Sequence, residues 1–345
     1  MPAQGPIDIS ILATPEAEPG VVLGAFDALW SVGVLWNRVN GLAEVPVFAP
    51  NIVAATSGPL TMASGATIHA NRAVADPVRT DIIFLPSILT DFGEGFGARN
   101  AVLIDWLRDA HAQGVQIVSS CTGSFLLAAA GLLDGREATT HWAFVETMRA
   151  AYPEIRVRGD RILVSAGEDT GIVTAGGATS WTDMILYLTG RFAGEEEARR
   201  LARLYLFDWH HDGQNPYSRL MTRPQEQDAA IRAAQEWLAD NYMRADIVTE
   251  MTDRSGLNAR TFARRFRAAT GYAPLEYVQM IRIEEARQLL ETTSMAVDDI
   301  AADVGYQDTP SFARLFRRLV GDTPAAYRRR THRPAYISHL PKDPF

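Results

Sequence analysis

The sequence predicts an α/β domain, a mostly parallel sheet with helices on both faces, followed by an all-α domain of two helix-turn-helix units. Three observations carry that expectation. Short β-branched runs alternate with helical patterns over the first two-thirds of the 345 residues, the rhythm of parallel strands joined by crossover helices. Strand patterning stops beyond residue 225. In the helical remainder, an 18-residue segment recurs 50 positions on.

IDISIL (7–12), TDIIFLP (80–86), VQIVSS (115–120) and TGIVTAGG (170–177) are apolar runs bounded by Gly, Pro or charge, and each is expected to be a strand. Helices are expected at GAFDALWSVGVLWNR (24–38), AVLIDWLRDAHAQG (101–114), GSFLLAAAGLL (123–133) and ATSWTDMILYLTGRF (178–192). Residues 158–177 read as a hairpin near a sheet edge. The amphipathic segment EEEARRLARLYLFDWHH (195–211) closes the domain, and DGQNPYSRLMTRP (212–224) is polar and rich in breakers. The expected boundaries are a first domain over 1–211, a linker over 212–225, a second domain over 226–333 and a tail over 334–345.

Composition narrows the function. A single cysteine, Cys121, excludes an intrachain disulfide framework and a cysteine-cluster zinc site. The adjacent His210 and His211 have no acidic residues at ligand spacing, so no metal or other cofactor is expected. The N-terminus has no basic stretch leading into an apolar run, and no run of 18 apolar residues follows, so a cytoplasmic protein without a membrane partner is expected. The net charge of −8 divides unevenly: residues 1–252 carry 18 basic against 30 acidic residues, and residues 253–333 carry 14 against 10. Lys342 is the sole lysine. Arginine forks suit phosphates and guanine edges.

The repeat pairs TFARRFRAATGYAPLEYV (261–278) with SFARLFRRLVGDTPAAYR (311–328), identical at eight of 18 positions. Phe262 and Phe266, like Phe312 and Phe316, stand four apart and share a core-facing side. Each copy follows a short helix and a tight turn in which Gly256 or Gly305 can supply the bend. Asn258 is expected to cap the first long helix. Thr309, with Pro310 behind it, is expected to cap the second. Two such units joined by the long helix at 274–293 suit two successive major grooves of double-stranded DNA. Asn258, Arg260, Thr261 and Arg264, with Gln307, Asp308, Ser311 and Arg314, are the expected base readers. Arg265, Arg267, Arg282, Arg317 and Arg318 are the expected phosphate contacts. This region resembles the AraC/XylS family of transcription regulators, the stretch LLETTSMAVDDIAADVGYQDTPSFARLFRRLVGDTPAAYR most of all. Gln307-Asp308-Thr309-Pro310 departs from the serine-rich turn of many members.

Cys121 sits between an expected strand and an expected helix, the layout of a nucleophile elbow, and ATTHW places His141 twenty residues on. Packing, a contact in an effector pocket, an active nucleophile and an oxidisable sensor all fit such a thiol. Trp30 and Trp142 read as core aromatics, while an aromatic wall would also suit a cationic effector. SCTGSFLLAAAGLLDG and ATTHW resemble the PfpI/ThiJ superfamily of flavodoxin-like, amidotransferase-type domains. Together the two resemblances identify the chain as a member of the GlxA type of AraC regulators.

The resemblance implies a sensing and dimerisation domain ahead of the DNA-binding domain, and Cys121, Thr122, His141, Trp142 and Asp27 as effector-pocket residues. It further implies a homodimer that activates transcription with RNA polymerase under a small-molecule effector. The superfamily's acidic residue after the first strand, aligned through Asp27 and Gly33, falls on Val21, and its Gly-Gly after the third strand falls on Ser87-Ile88. Without them no catalysis is expected. The alternative is a PfpI-type hydrolase or hydratase carrying a DNA-binding module.

Overall fold

A computed structural model describes residues 5–77, 80–167, 171–210, 213–214 and 228–331. Contacts divide the chain into two units, Met1–Gln214 and Asn215–Phe345.

In the first unit, β1 (Ile7–Leu12), α1 (Pro19–Ser31), α2 (Leu35–Val39) and β2 (Phe48–Ala54) lead into β3 (Gly58–Thr61), β4 (Thr67–Ala70) and β5 (Arg72–Ala73). β6 (Ile82–Leu85), α3 (Phe96–Arg99), α4 (Ala101–Ala112), β7 (Gln116–Ser120) and α5 (Ser124–Ala129) follow. The unit closes with β8 (Glu137–Ala138), α6 (Val145–Ala151), β9 (Arg156–Val157), β10 (Leu163–Ser165), β11 (Ile172–Ala175), α7 (Trp181–Ala193) and α8 (Glu195–Tyr205). Among the described residues seven strands form one sheet in the order β10-β11-β7-β6-β1-β2-β5. All pairs are parallel except β10 with β11, the expected hairpin at the edge. Helices α1, α7 and α8 pack together as one group and α3, α4 and α5 as another. The central strands are buried along their length, as a sheet covered on both faces requires.

Several elements differ from the sequence reading, β2 and the first helix among them. β2 is not among the strands expected from the sequence, and it carries Pro50 inside it. The strand forms because Pro50 lies opposite Ile9 in a stretch where β5 does not reach; β5 pairs only at Val53 and Ala54, so no ladder donor is missed there. The helix expected over 24–38 breaks after Ser31. Gly33 adopts φ +74°, and a Cβ there would stand 2.1 Å from the Val45 carbonyl oxygen. Only glycine allows that approach.

The described residues of the second unit are helical: α9 (Ala229–Asn241), α10 (Ile247–Arg254), α11 (Ala259–Thr270), α12 (Pro274–Thr292), α13 (Val297–Asp303), α14 (Thr309–Val320) and α15 (Pro324–Thr331). It holds two hydrophobic cores with matching parts. Phe262, Phe266 and Tyr277 anchor one, and Phe312, Phe316 and Tyr327 anchor the other. Each tyrosine meets its phenylalanine edge-on, Tyr277 to Phe266 at 5.2 Å and Tyr327 to Phe316 at 5.5 Å. Both long repeat helices end on a left-handed glycine, Gly271 or Gly321, whose N–H returns to Arg267 or Arg317.

Candidate functional site

β7 ends at Ser120, and Cys121 opens a tight 3₁₀ turn into α5 with φ +56°. A left-handed non-glycine residue at this point is the strained geometry of an elbow. Gly123 permits the turn, since a Cβ there would lie 2.5 Å from the Pro86 carbonyl oxygen. The thiol is nevertheless enclosed, with 4% of Cys121 exposed. Burial pushes it up to about 11; hydrogen bonds from Thr122 oppose the rise and the charge of Glu18 adds to it.

Glu18 corrects the sequence reading. The acidic group after β1 is Glu18, at the N-terminus of α1, and its charge acts on both Cys121 and His141. Val21, one turn on, is a buried core residue. Asp27 is exposed on α1, with its carbonyl accepting from Ser31 and Tyr205, so spacing from it does not lead to Glu18. Asp27 therefore does not belong to the site. Ser87 and Ile88 follow β6, and there the Glu18 carboxylate accepts from the Ser87 hydroxyl. The Ile88 N–H donates to Thr122 Oγ1 at 3.0 Å, so it is not free to hold an oxyanion.

His141 is half-buried, and its Nδ1 accepts from the Ala143 N–H at 3.1 Å. Burial lowers its pKa, and Glu18 pulls the other way. Trp142 lies against it, ring centroids 5.1 Å apart. Trp30 is no core aromatic: it is 42% exposed beneath the Arg38 guanidinium. Besides Glu18, sequence reading missed Gln214. Gly213 and Gln214, read as the start of the linker, are built into the first unit, and Gln214 is 1% exposed. His210 does have an acidic partner, with Nδ1 2.6 Å from Oδ2 of buried Asp183. His211 and residues 215–227 lie outside the described residues. Among the described residues no three metal-ligating side chains come together.

In the second unit, Asn258 caps α11 by accepting from the Thr261 N–H at 2.9 Å. Asp308, not Thr309, caps α14, accepting from the Ser311 N–H at 2.8 Å. The carboxylate accepts better than a hydroxyl would, and those bonds hold its pKa down. On α11, Arg260, Arg264 and Arg267 are exposed, and their spacing puts them in one stripe opposite Phe262 and Phe266. Arg314, Arg317 and Arg318 are exposed on the matching side of α14, with Gln307 in the turn before it. Arg314 donates to Ser311 Oγ at 2.8 Å. Gln279, Tyr306, Ser311, Arg314, Leu315 and Arg318 line a groove of about 390 Å³.

Two expected phosphate contacts are structural instead. Arg265 grips Asp228 with both ends of its fork at 2.7 and 2.9 Å, tying α11 to the start of α9. Arg282 is half-buried and donates to the carbonyls of Tyr242, Arg244 and Gly305 at 2.7, 2.8 and 3.1 Å. It staples α12 to the loops on either side of it.

Two capped helix-turn-helix units on one spacer helix, each with an outward arginine stripe and preceded by an elbow-bearing α/β unit, define a DNA-binding regulator. The comparisons agree. The model of a helix-turn-helix domain matches residues 251–330 and that of the DJ-1/PfpI family residues 33–189. The chain is 31% identical over 234 residues to the HTH-type transcriptional regulator GlxA of Rhizobium meliloti, covering 65% of this chain and 68% of that protein. To the HTH-type transcriptional regulator CdhR of Pseudomonas aeruginosa it is 24% identical over 301 residues, 84% of each chain. It is also 28% identical over 195 residues to an isonitrile hydratase of Pseudomonas putida, 56% of this chain and 75% of that protein. The chain belongs to the AraC-type transcriptional regulators that carry a DJ-1/PfpI domain, the GlxA type. Among the described residues no helix is long and apolar enough to cross a membrane.

Proposed function

We propose that the first unit is a non-catalytic sensor. A small-molecule effector binds beside Cys121, Thr122, His141 and Trp142, and its binding biases how the second unit engages DNA and RNA polymerase to activate transcription. The observation that carries this reading is the enclosed Cys121, whose thiol stays protonated near neutrality because burial pushes it up to about 11. Engagement of the Ile88 N–H by Thr122 supports it.

The protein works as a cytoplasmic homodimer. The exposed apolar side chains of Leu23, Trp30, Val39, Leu42 and Val45, on α1, α2 and the loop beyond, support self-association through that edge. Sensing belongs to the first unit, which runs on through Gln214, and DNA binding to 226–333. Within the second domain, Asn258, Arg260, Thr261, Arg264, Gln307, Asp308, Ser311 and Arg314 face bases, while Arg267, Arg317 and Arg318 face phosphates. A thermal-shift screen of the full chain against metabolites, with Cys121→Ala in parallel, tests the sensor. A stabilising metabolite that loses its effect in the variant supports it, and no stabilisation by any compound removes it.

A second reading, a hydratase or hydrolase, is favoured by Glu18 beside Cys121 and by the strained elbow. Fast alkylation of Cys121 near neutral pH would support that reading; slow alkylation supports the sensor.

A further inference from the structure

Gln214 fills a site made for its functional group. Its side-chain carbonyl accepts from two converging N–H groups, Gly177 at 2.7 Å and Trp142 at 3.1 Å. Its amide nitrogen faces four acceptors: the Thr140 carbonyl at 2.9 Å, the Arg161 carbonyl at 3.0 Å, Thr139 Oγ1 at 3.1 Å and the Gly159 carbonyl at 3.3 Å. Glycine makes the space, because a Cβ on Gly176 would fall 2.3 Å from the Gln214 amide carbon. The cradle borders the elbow: the Thr140 hydroxyl donates to the Cys121 carbonyl at 3.1 Å, and a Cβ on Gly177 would lie 3.5 Å from His141 Cδ2.

The chain is bent to deliver this side chain. Gly213 takes φ +71° at a place where a Cβ would meet the Asp160 carbonyl oxygen at 2.1 Å, and the Gln214 N–H donates to that same oxygen at 3.1 Å. The delivered residue is also the last one of the first unit.

We propose that this cradle is a primary-carboxamide binding site of the sensor, filled by Gln214 as a tethered occupant, and that the diffusible effector carries a carboxamide and takes the same site. The chemistry of the lining selects this group. Two N–H donors require an acceptor on one side, and four acceptors require an NH₂ on the other. A carboxylate would set a charged oxygen against the four acceptors, and an alcohol would leave several buried groups unpaired. An effector that enters the cradle expels Gln214 and frees the point at which the chain leaves the first unit, so occupancy becomes a signal carried by the backbone. This deepens the sensor reading and rests on it.

The test is chemical rescue in the full chain, with propionamide standing for the glutamine side chain. Gln214→Ala should unfold at lower temperature than the unaltered protein. Propionamide should restore it saturably, at concentrations at least about 10-fold below any effect of propionate, given the cost of unpaired buried polar groups. Gly176→Ala should lose stability in the same way and gain nothing from propionamide, because the new methyl stands where the amide would bind. If Gln214→Ala does not fold alone, refolding with propionamide is the readout, and recovery supports the site. No rescue, equal rescue by propionate, or equal rescue of Gly176→Ala overturns the carboxamide site. A metabolite that stabilises the unaltered chain while propionamide fails to rescue would sink this inference alone and leave the sensor standing.

Discussion

The carboxylate of Glu18 accepts a hydrogen bond from the hydroxyl of Ser87, a residue carried to it from the end of β6. The charge of that carboxylate reaches both Cys121 and His141. A negative charge disfavours the thiolate of Cys121 and favours the imidazolium of His141, so it raises both pKa values. Glu18→Gln should therefore lower both. The pH profile of Cys121 alkylation and the titration of the His141 ring by NMR check this; an unchanged thiol would mean the Glu18 charge is screened from the elbow.

Alkaline pH should destabilise the first unit through Cys121. Its pKa rises in the folded chain, so the unfolded chain releases the thiol proton first as pH climbs. The stability tied to the neutral thiol is complete below pH 9 and drains away as pH rises through about 11. The rise from 9.0 to about 11 is worth about 3 kcal/mol. Denaturant unfolding at pH 8 and pH 11 should show a smaller loss for Cys121→Ala than for the unaltered protein.

Arginines of one helix should separate by role. Arg264→Ala or Arg314→Ala should weaken specific DNA binding by about 1–3 kcal/mol, and Arg267→Ala or Arg317→Ala should flatten the salt dependence by about one charge. Arg265→Ala should leave the salt slope alone and lower the melting temperature of the second unit, since its partner is Asp228. Fluorescence anisotropy across a salt series, with thermal melts alongside, distinguishes these outcomes.

Gly256 and Gly305 sit at matching turns with φ +68° and +86°, but only Gly305 is crowded, 2.5 Å from its absent Cβ to the Met243 carbonyl oxygen. Gly256→Ala should cost about 1 kcal/mol from backbone strain. Gly305→Ala adds a backbone clash and should cost about 3 kcal/mol. Chemical denaturation of the two variants measures the difference, and equal costs would rule out the crowding.

Much of this was legible from residue order because it is local. β1 appears residue for residue as IDISIL, and the repeat announces two matching helices because the same phenylalanines, glycine, proline and tyrosine must build the same core twice. Asn258 follows from cap chemistry in its own turn. What escaped depends on distant partners. Arg265 looks like any exposed arginine until Asp228 arrives from 37 positions away, and Arg282 is held by three backbone carbonyls that carry no side-chain signature. Glu18 was missed because spacing along α1 was counted from Asp27, a residue that faces the other way. Gln214 was read as linker because its polar, glycine-flanked surroundings look like a connection, and its hydrogen-bond partners lie 37 to 75 residues back along the chain.

The spacer helix α12 has 19 residues, about 28 Å at 1.5 Å per residue. Each helix-turn-helix unit owns its own core, so this rod acts as a caliper with a jaw at either end. Such an instrument measures phase before it reads letters. An operator in which two half-recognised segments are pushed apart by half a turn of DNA should be rejected even with every base intact, and one stretched by a full turn should engage a single jaw.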